Sequence, residues 1–224
     1  MDRQQRQAVG GTPTLEPGVT TLIGDRRSTA PHRIALATLR AEHGQAIWID
    51  AGDTASTYTL HTVAQSARQL DGIAIARAWT AYQHHTLVKQ AISRVSSRTR
   101  LLVAPNVCSL YRDNDLAEDE ANQLLAATLR LLAELAETVS IPVLVTARES
   151  ESAVLEPLAD HELIYKQTVV GDIILDPTDK TTGYHGHGWW QTTIPYWVDL
   201  LGERADSVRI IEAMASPVQT PLGA

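Results

Sequence analysis

The segment GDRRSTAPHR, residues 24–33, combines the residue types of an anion-binding turn with those of a helix start. It follows the β-branched run VTTLIG (19–24), which predicts a buried strand, and Pro31 suits the first turn of a helix. A turn at such a place binds phosphate when it has several glycines, a lysine and a Ser or Thr hydroxyl. Here Gly24 is the one glycine, and the segment has no lysine. The segment is therefore either a phosphate-binding turn that has lost its chemistry or a turn that never had any.

The elements that position this turn are predicted from hydrophobic periodicity. Five short apolar runs alternate with helical segments, which predicts a mostly parallel sheet covered by helices on both faces. After the first strand and helix, strands are predicted at 46–52, 72–79, in the run RLLVAPNV after Thr99, and at 141–147. The run ELIYKQTVVGDIILD and the segments after it are strand-like without helices between them, which predicts an antiparallel C-terminal extension of the sheet.

Two helices carry specific expectations. Asp115 and Glu118 form a capping-box pattern before the leucine-rich helix. The helix predicted at 85–97 has one apolar face, formed by Leu87, Val88, Ile92 and Val95. Residues 1–224 are interpreted as one domain with flexible tails at 1–9 and 218–224.

Composition limits the function classes. The net charge is −7 and there are three lysines against sixteen arginines, which argues against a basic nucleic-acid-binding coat. No apolar run approaches the roughly 18 residues that a membrane span needs, and the polar start lacks the centre of a signal peptide. The single cysteine, Cys108, fits a reducing cytoplasm and is expected to pack in the core. The scarcity of lysine is typical of a GC-rich genome or a salt-adapted organism.

The motifs, in their order and spacing, resemble the core of RecA-superfamily recombinases, particularly archaeal RadA and RadB. GGTPTLEPGVTTLIGD resembles the entry to the phosphate-loop strand, AIWIDAGDT the next strand, and IAIARAWTAYQHHTLV the third strand and its helix. RLLVAPNVCSLYRDND resembles the Walker B strand, IPVLVTARES the following strand, and RIIEAMASP the closing strand of the core. The resemblance runs from Gly10 to Pro217 and implies an α/β, RecA-like P-loop NTPase core. No segment resembles the helix-hairpin-helix DNA module of RadA, so the layout is closer to a RadB-like archaeal paralogue.

The same resemblance implies that the nucleotide chemistry has been lost. The Walker lysine position holds Ala30 or Pro31, and the Walker B aspartate position holds Pro105. The water-activating glutamate is replaced by Gly52, or by Asp53 in a register shifted by one residue, and the phosphate-sensing glutamine by Arg148. Four functional residues are replaced at four places while the surrounding motifs are retained, which indicates a phosphate loop that has lost its nucleotide chemistry. The residues assigned to this degenerate nucleotide site are Gly24, Arg26, Arg27, Ser28, Thr29, Asp53, Pro105 and Arg148.

The resulting interpretation is a pseudo-ATPase without a required cofactor that acts through protein contacts in recombination and repair. Members of the resembled family associate edge to edge, so the expected partner is a RecA/RadA-family recombinase or another repair protein, with self-association left open. One alternative is a weak ATP-binding switch in which Arg26 and Arg27 hold phosphate. The competing interpretation of these two arginines is an ordinary exposed charged turn. Another alternative is a DNA-binding module that uses a basic patch, and the competing interpretation of this patch is an ordinary solvated helix face. That patch consists of Lys89, Arg94, Arg98 and Arg100.

His185 and His187, in GYHGHGWW, could both face a metal from one side of a strand. No cysteine or acidic residue lies at a recognisable ligand spacing, so a glycine-rich mobile loop is the favoured interpretation of this segment. The acidic residues between 149 and 188, where the resembled family has a DNA-contacting loop, disfavour DNA binding there.

Overall fold

Nine strands form one continuous sheet in the part of the chain that the computed structural model describes, which is residues 12–52, 55, 57–112, 116–168, 171–177, 183–186 and 189–192. The strands are β1 (Gly18–Ile23), β2 (Gln45–Ala51), β3 (Ile73–Ala78), β4 (Thr99–Ala104), β5 (Pro142–Ala147), β6 (His161–Thr168), β7 (Gly171–Leu175), β8 (Gly183–Gly186) and β9 (Trp189–Thr192). Their order across the sheet is β3-β2-β4-β5-β1-β6-β7-β8-β9.

The pairing confirms the mostly parallel sheet with an antiparallel extension. Strands β1 to β6 pair in parallel, and β6-β7, β7-β8 and β8-β9 pair antiparallel. Parallel strands need crossover connections, and the helices that follow β1 to β4 supply them. The carboxyl ends of β1, β2, β4 and β5 therefore lie at one edge of the sheet, where the sequence placed the candidate site.

The helices are α1 (Ala30–Glu42), α2 (Thr57–Val63), α3 (Ala81–Arg94), α4 (Glu118–Val139) and α5 (Ser152–Leu155). The predicted capping box is wrong because α4 begins at Glu118 itself, with Ala117 in the capping position and no side-chain cap. Three acidic residues in the first turn of α4 still complement the helix dipole. None of the helices in the described residues is both long and apolar enough to span a membrane.

The core has one layer on each face of the sheet. On one face α3 and α4 cover a cluster that includes Cys108, whose burial confirms the expected core position. On the other face α1 packs over a cluster centred on Trp48. The predicted apolar face of α3 is partly wrong, since Ile92 is 44% exposed. The buried positions of α3 are Ala81, His84, Val88 and Ala91.

The C-terminal predictions have three outcomes. The segment interpreted as a mobile glycine-rich loop instead contributes β8 and β9, which corrects that prediction. The strand-like run ELIYKQTVVGDIILD is confirmed by β6 and β7, and residues 149–158 before it form short helical turns where the resemblance implied a DNA-contacting loop. Residues 1–11 and 193–224 lie outside the described residues, so the tails at 1–9 and 218–224 and the single domain 1–224 stay predictions.

Candidate functional site

Three backbone N–H groups of the turn between β1 and α1 are bonded within the turn itself. The Asp25 carboxylate accepts a hydrogen bond from the Arg27 N–H at 2.7 Å, and the Asp25 carbonyl accepts one from the Ser28 N–H at 3.0 Å. The Ser28 hydroxyl accepts from the Ala30 N–H at 3.0 Å. In a phosphate-binding turn, such N–H groups point at the anion. Here three of these N–H groups donate to the Asp25 carboxylate, the Asp25 carbonyl and the Ser28 hydroxyl instead of to an anion.

Gly24 is required by packing. A Cβ atom at this position would lie 2.9 Å from the Cβ of Tyr165 and 3.1 Å from its carbonyl oxygen. Tyr165 is a buried residue of β6, the strand that pairs with β1. The close approach of β6 therefore explains the glycine without any phosphate.

The space above the turn is nearly closed. Its cavity volume is about 10 Å³, which is enough for about one water molecule, whereas ligand sites are typically 300–1,000 Å³. The His32 and Trp48 rings, which line it, pack at a tilt of 38° with their centroids 4.9 Å apart. The residues lining the cavity are Leu22, Gly24, Asp25, Arg26, Ser28, Pro31, His32, Trp48, Pro105, Thr146 and Tyr165.

Arg26 connects this turn to the end of β2. Its Nη2 donates a hydrogen bond to the Gly52 carbonyl at 3.0 Å. Gly52 has a φ of +72°, and a Cβ there would lie 2.7 Å from the same nitrogen. The Gly52 N–H in turn donates to the Ala78 carbonyl at 3.3 Å, at the end of β3.

A buried carboxylate fixes the chain beyond β2. The Asp50 Oδ1 accepts from the Ala55 N–H at 3.0 Å, and its Oδ2 pairs with the Arg77 Nε at 3.3 Å. Arg77 Nη2 also donates to the Ala55 carbonyl at 2.8 Å. Asp53, the alternative candidate for a water-activating carboxylate, lies outside the described residues.

Arg148, at the end of β5, is held by Glu151. The Arg148 N–H and Nη2 donate to the two Glu151 carboxylate oxygens at 3.0 and 2.9 Å, and Arg112 Nε lies 3.4 Å from one of them. Burial by itself raises the pKa of Glu151, but the hydrogen bonds from Arg148 and the charges of both arginines outweigh it, so the pKa is lowered. From the sequence, Glu151 was interpreted only as one of the acidic residues between 149 and 188. Its spacing of three residues from Arg148 was the signal that could have found the pair.

These elements fit a known family. The model of the Rad51 family matches residues 30–174, which is more than half of the chain. The chain belongs to the Rad51 family. In a comparison with curated proteins, none matched the chain. The Rad51 match confirms the RecA-like fold and begins at Ala30, so residues 24–29 lie outside it.

The residues present do not fit the magnesium nucleotide that a Rad51 fold implies. Ala30 and Pro31 offer no cationic side chain, and Pro31 also lacks an N–H. Asp25 is the one carboxylate among the residues that line the described cavity, and it already accepts a hydrogen bond from within the turn. The Thr29 hydroxyl is buried without a hydrogen-bond partner in the described part of the chain. A cavity of about 10 Å³ does not admit a triphosphate.

The four residues of the predicted basic patch lie on α3, in the turn before β4 and in β4. Lys89 and Arg94 are exposed on α3, and Arg98 is exposed in the turn before β4. Arg100 lies in β4 and donates to the carbonyls of Ser97 and Thr99 at 2.8 and 3.3 Å. Its guanidinium therefore supports the local backbone, and the DNA-binding patch stays a prediction.

The predicted metal candidates have no structural support in the described residues. His185 belongs to β8, its side chain is not described, and His187 lies outside the described residues. Among the described residues, no group of three His, Cys, Asp or Glu side chains could hold a metal ion.

A buried polar chain that the sequence analysis missed links α3 to α4. The Thr128 hydroxyl donates to the Leu124 carbonyl, so it accepts from the Tyr111 hydroxyl at 2.9 Å. Tyr111 then accepts from the Nδ1 of His84, also at 2.9 Å. This places a proton on Nδ1. Burial lowers the pKa of His84 to about 4, with a further lowering from the charge of His85, so the ring is neutral at pH 7. The sequence did not predict this hydrogen-bonded chain, because its members are single polar residues without a regular spacing.

Replacing Glu151 tests the arginine cluster. Glu151→Gln is expected to lower the free energy of unfolding by about 1 to 2 kcal/mol at pH 7, because charge-assisted hydrogen bonds from Arg148 are lost. The lowered pKa means that this contribution is present above the ordinary value of 4.5 and is lost as the pH falls below it. Urea unfolding of both proteins at pH 7 and pH 3 measures it. A difference that is the same at both pH values would contradict the role of the Glu151 charge.

Proposed function

We propose that this Rad51-family chain is a non-catalytic, RadB-like archaeal paralogue that acts through protein contacts as an accessory factor in recombination and repair. Membership of the Rad51 family supports a role in recombination and repair. The observation that carries the loss of catalysis is the closed turn after β1. The N–H groups of Arg27, Ser28 and Ala30 are bonded within the turn, and the cavity beside it has a volume of about 10 Å³.

The chemistry at the neighbouring strand ends supports the same proposal. Pro105 replaces a metal-binding carboxylate after β4, and Arg148 after β5 is engaged with Glu151. ATP hydrolysis in such folds depends on a metal ion and a positioned carboxylate, which together supply most of the transition-state stabilisation. Arg26, a candidate for an alternative phosphate contact, donates to Gly52 instead.

A surface for protein contact lies at the β3 edge of the sheet, the edge opposite β9 among the described strands. In the described part of the chain, β3 pairs with β2 alone and forms the sheet edge. Beside it, Arg77, Tyr82, Gln83, Thr86 and Leu87 line an open groove of about 290 Å³. Trp79 and Tyr82 are 61% and 52% exposed there. An exposed edge strand with neighbouring aromatic residues is typical of protein-binding surfaces.

Calorimetry with ATP, with and without Mg²⁺, tests the loss of nucleotide chemistry. We expect no saturable heat at millimolar ATP and no phosphate release. Phosphate release would overturn the pseudo-ATPase, and saturable binding that Arg26→Ala or Arg27→Ala abolishes would favour the arginine-based switch.

Binding of the purified recombinase from the same organism, measured by biolayer interferometry, tests the protein contact. Ala74→Lys places a charge on the exposed edge of β3 and is expected to weaken binding by about tenfold or more, because edge lysines block strand addition. Val154→Lys makes the same kind of change at a partly exposed position on α5 and serves as the matched control. Absence of recombinase binding by the unmodified chain, or equal effects of both variants, would contradict the proposal.

A further inference from the structure

We propose that Arg26 is a positioning residue that holds the end of β2, and through it the partner-binding edge at β3, in one fixed arrangement. The proposal rests on the proposed function, because it concerns a protein whose site takes no nucleotide. Its basis is the contact of the Arg26 guanidinium with the Gly52 carbonyl at 3.0 Å.

The two residues are complementary in shape. The backbone of Gly52 has a φ of +72°, which a residue with a side chain rarely adopts. A Cβ atom there would also lie 2.7 Å from the Arg26 nitrogen that makes the hydrogen bond. The left-handed backbone of Gly52, which favours glycine, thus presents its carbonyl to the guanidinium, and the absence of a side chain leaves room for the Arg26 nitrogen.

The contact continues into the partner-binding edge through hydrogen bonds. The Gly52 N–H donates to the carbonyl of Ala78, the last residue of β3. The next residue, Trp79, donates its N–H to the Gln83 side chain at 2.9 Å, and Gln83 lines the groove beside β3. Three hydrogen bonds therefore connect Arg26 with the groove.

Arg27 provides the internal comparison. It is adjacent in sequence and has the same charge, but its contact is through the backbone N–H, which donates to Asp25. In the described part of the chain its guanidinium makes no hydrogen bond or ion pair. An effect of Arg26 that Arg27 does not share cannot be attributed to net charge.

Residue-resolved amide hydrogen exchange by NMR tests the proposal without any partner. Arg26→Ala is expected to speed exchange of the Gly52 and Trp79 amides by about five- to tenfold, the effect of one lost hydrogen bond on local opening. Arg27→Ala is expected to leave both amides unchanged. The Thr99 amide, at the start of β4 and bonded to the Ser96 carbonyl, reports whether the fold as a whole has loosened.

Two results would overturn the role of Arg26: exchange at Gly52 and Trp79 that stays within twofold in Arg26→Ala, or an equal increase in Arg27→Ala. The failure of the proposed function is a separate result. If millimolar MgATP slows exchange at residues 24–30 of the unmodified chain, the site binds nucleotide and the proposed function fails, whatever Arg26 does.

Discussion

Acidification from pH 6.5 to pH 4 is expected to lower the free energy of unfolding by about 3 kcal/mol through His84, because a pKa difference of one unit is worth about 1.4 kcal/mol. The His84 ring is fully buried between α3 and the turn after β4. Its pKa is lowered from 6.5 to about 4, mainly because burial penalises the charged ring and further because His85 adds a like charge.

The sign follows from where protons bind. Below pH 6.5 the unfolded chain protonates this histidine, while the folded chain leaves it neutral until about pH 4. The unfolded state therefore gains protons first, and stability falls across that interval and levels off below it. The neutral ring can still donate from Nδ1 to the Tyr111 hydroxyl, so this hydrogen bond does not require the charged form.

Urea unfolding at half-unit steps between pH 4 and pH 7 measures this effect. His84→Gln retains an amide donor for Tyr111 and does not titrate, so its stability should change by about 3 kcal/mol less over the same interval. His85→Gln is the matched control, since His85 also bonds this chain through Thr128 but is only partly buried. Equal pH dependence in the unmodified protein and His84→Gln would show that His84 is not the titrating group.

Gly24→Ala is expected to lower the free energy of unfolding by about 2 kcal/mol, the cost of forcing one extra carbon into a well-packed site. The added Cβ would meet the Cβ and the carbonyl oxygen of Tyr165 at 2.9 and 3.1 Å. Neither atom is the end of a flexible side chain, so β1 and β6 must move apart. The glycine therefore serves the packing of β6 against β1.

Thermal and urea unfolding of this variant are compared with Thr29→Ala, in the same turn. The Thr29 hydroxyl is buried without a partner in the described residues, so its removal should change stability by less than about 0.5 kcal/mol. A Gly24→Ala protein as stable as the unmodified one would contradict the packing role. It would leave a phosphate contact as the remaining reason for glycine at this position.

The sequence by itself determined most of the sheet. The short apolar runs at 19–24, 46–52, 72–79 and 141–147 predicted strands that the structure places within one or two residues of those bounds. Strand and helix periodicity depend on neighbours a few residues apart, so they can be recognised locally. The start of α4 and the exposed face of α3 were predicted wrongly, because a cap and a buried face depend on what packs against the helix.

Only the tertiary structure decided how the candidate site is closed. The Arg26 and Gly52 contact joins residues 26 apart in sequence, and the approach of Tyr165 to Gly24 joins two paired strands distant along the chain. The pairing of Glu151 with Arg112 and the burial of His84 likewise depend on which elements meet. The sequence named the residue types that are missing from the site. Which remaining groups fill it depends on distances between strand ends, and no local spacing in the sequence encodes those distances.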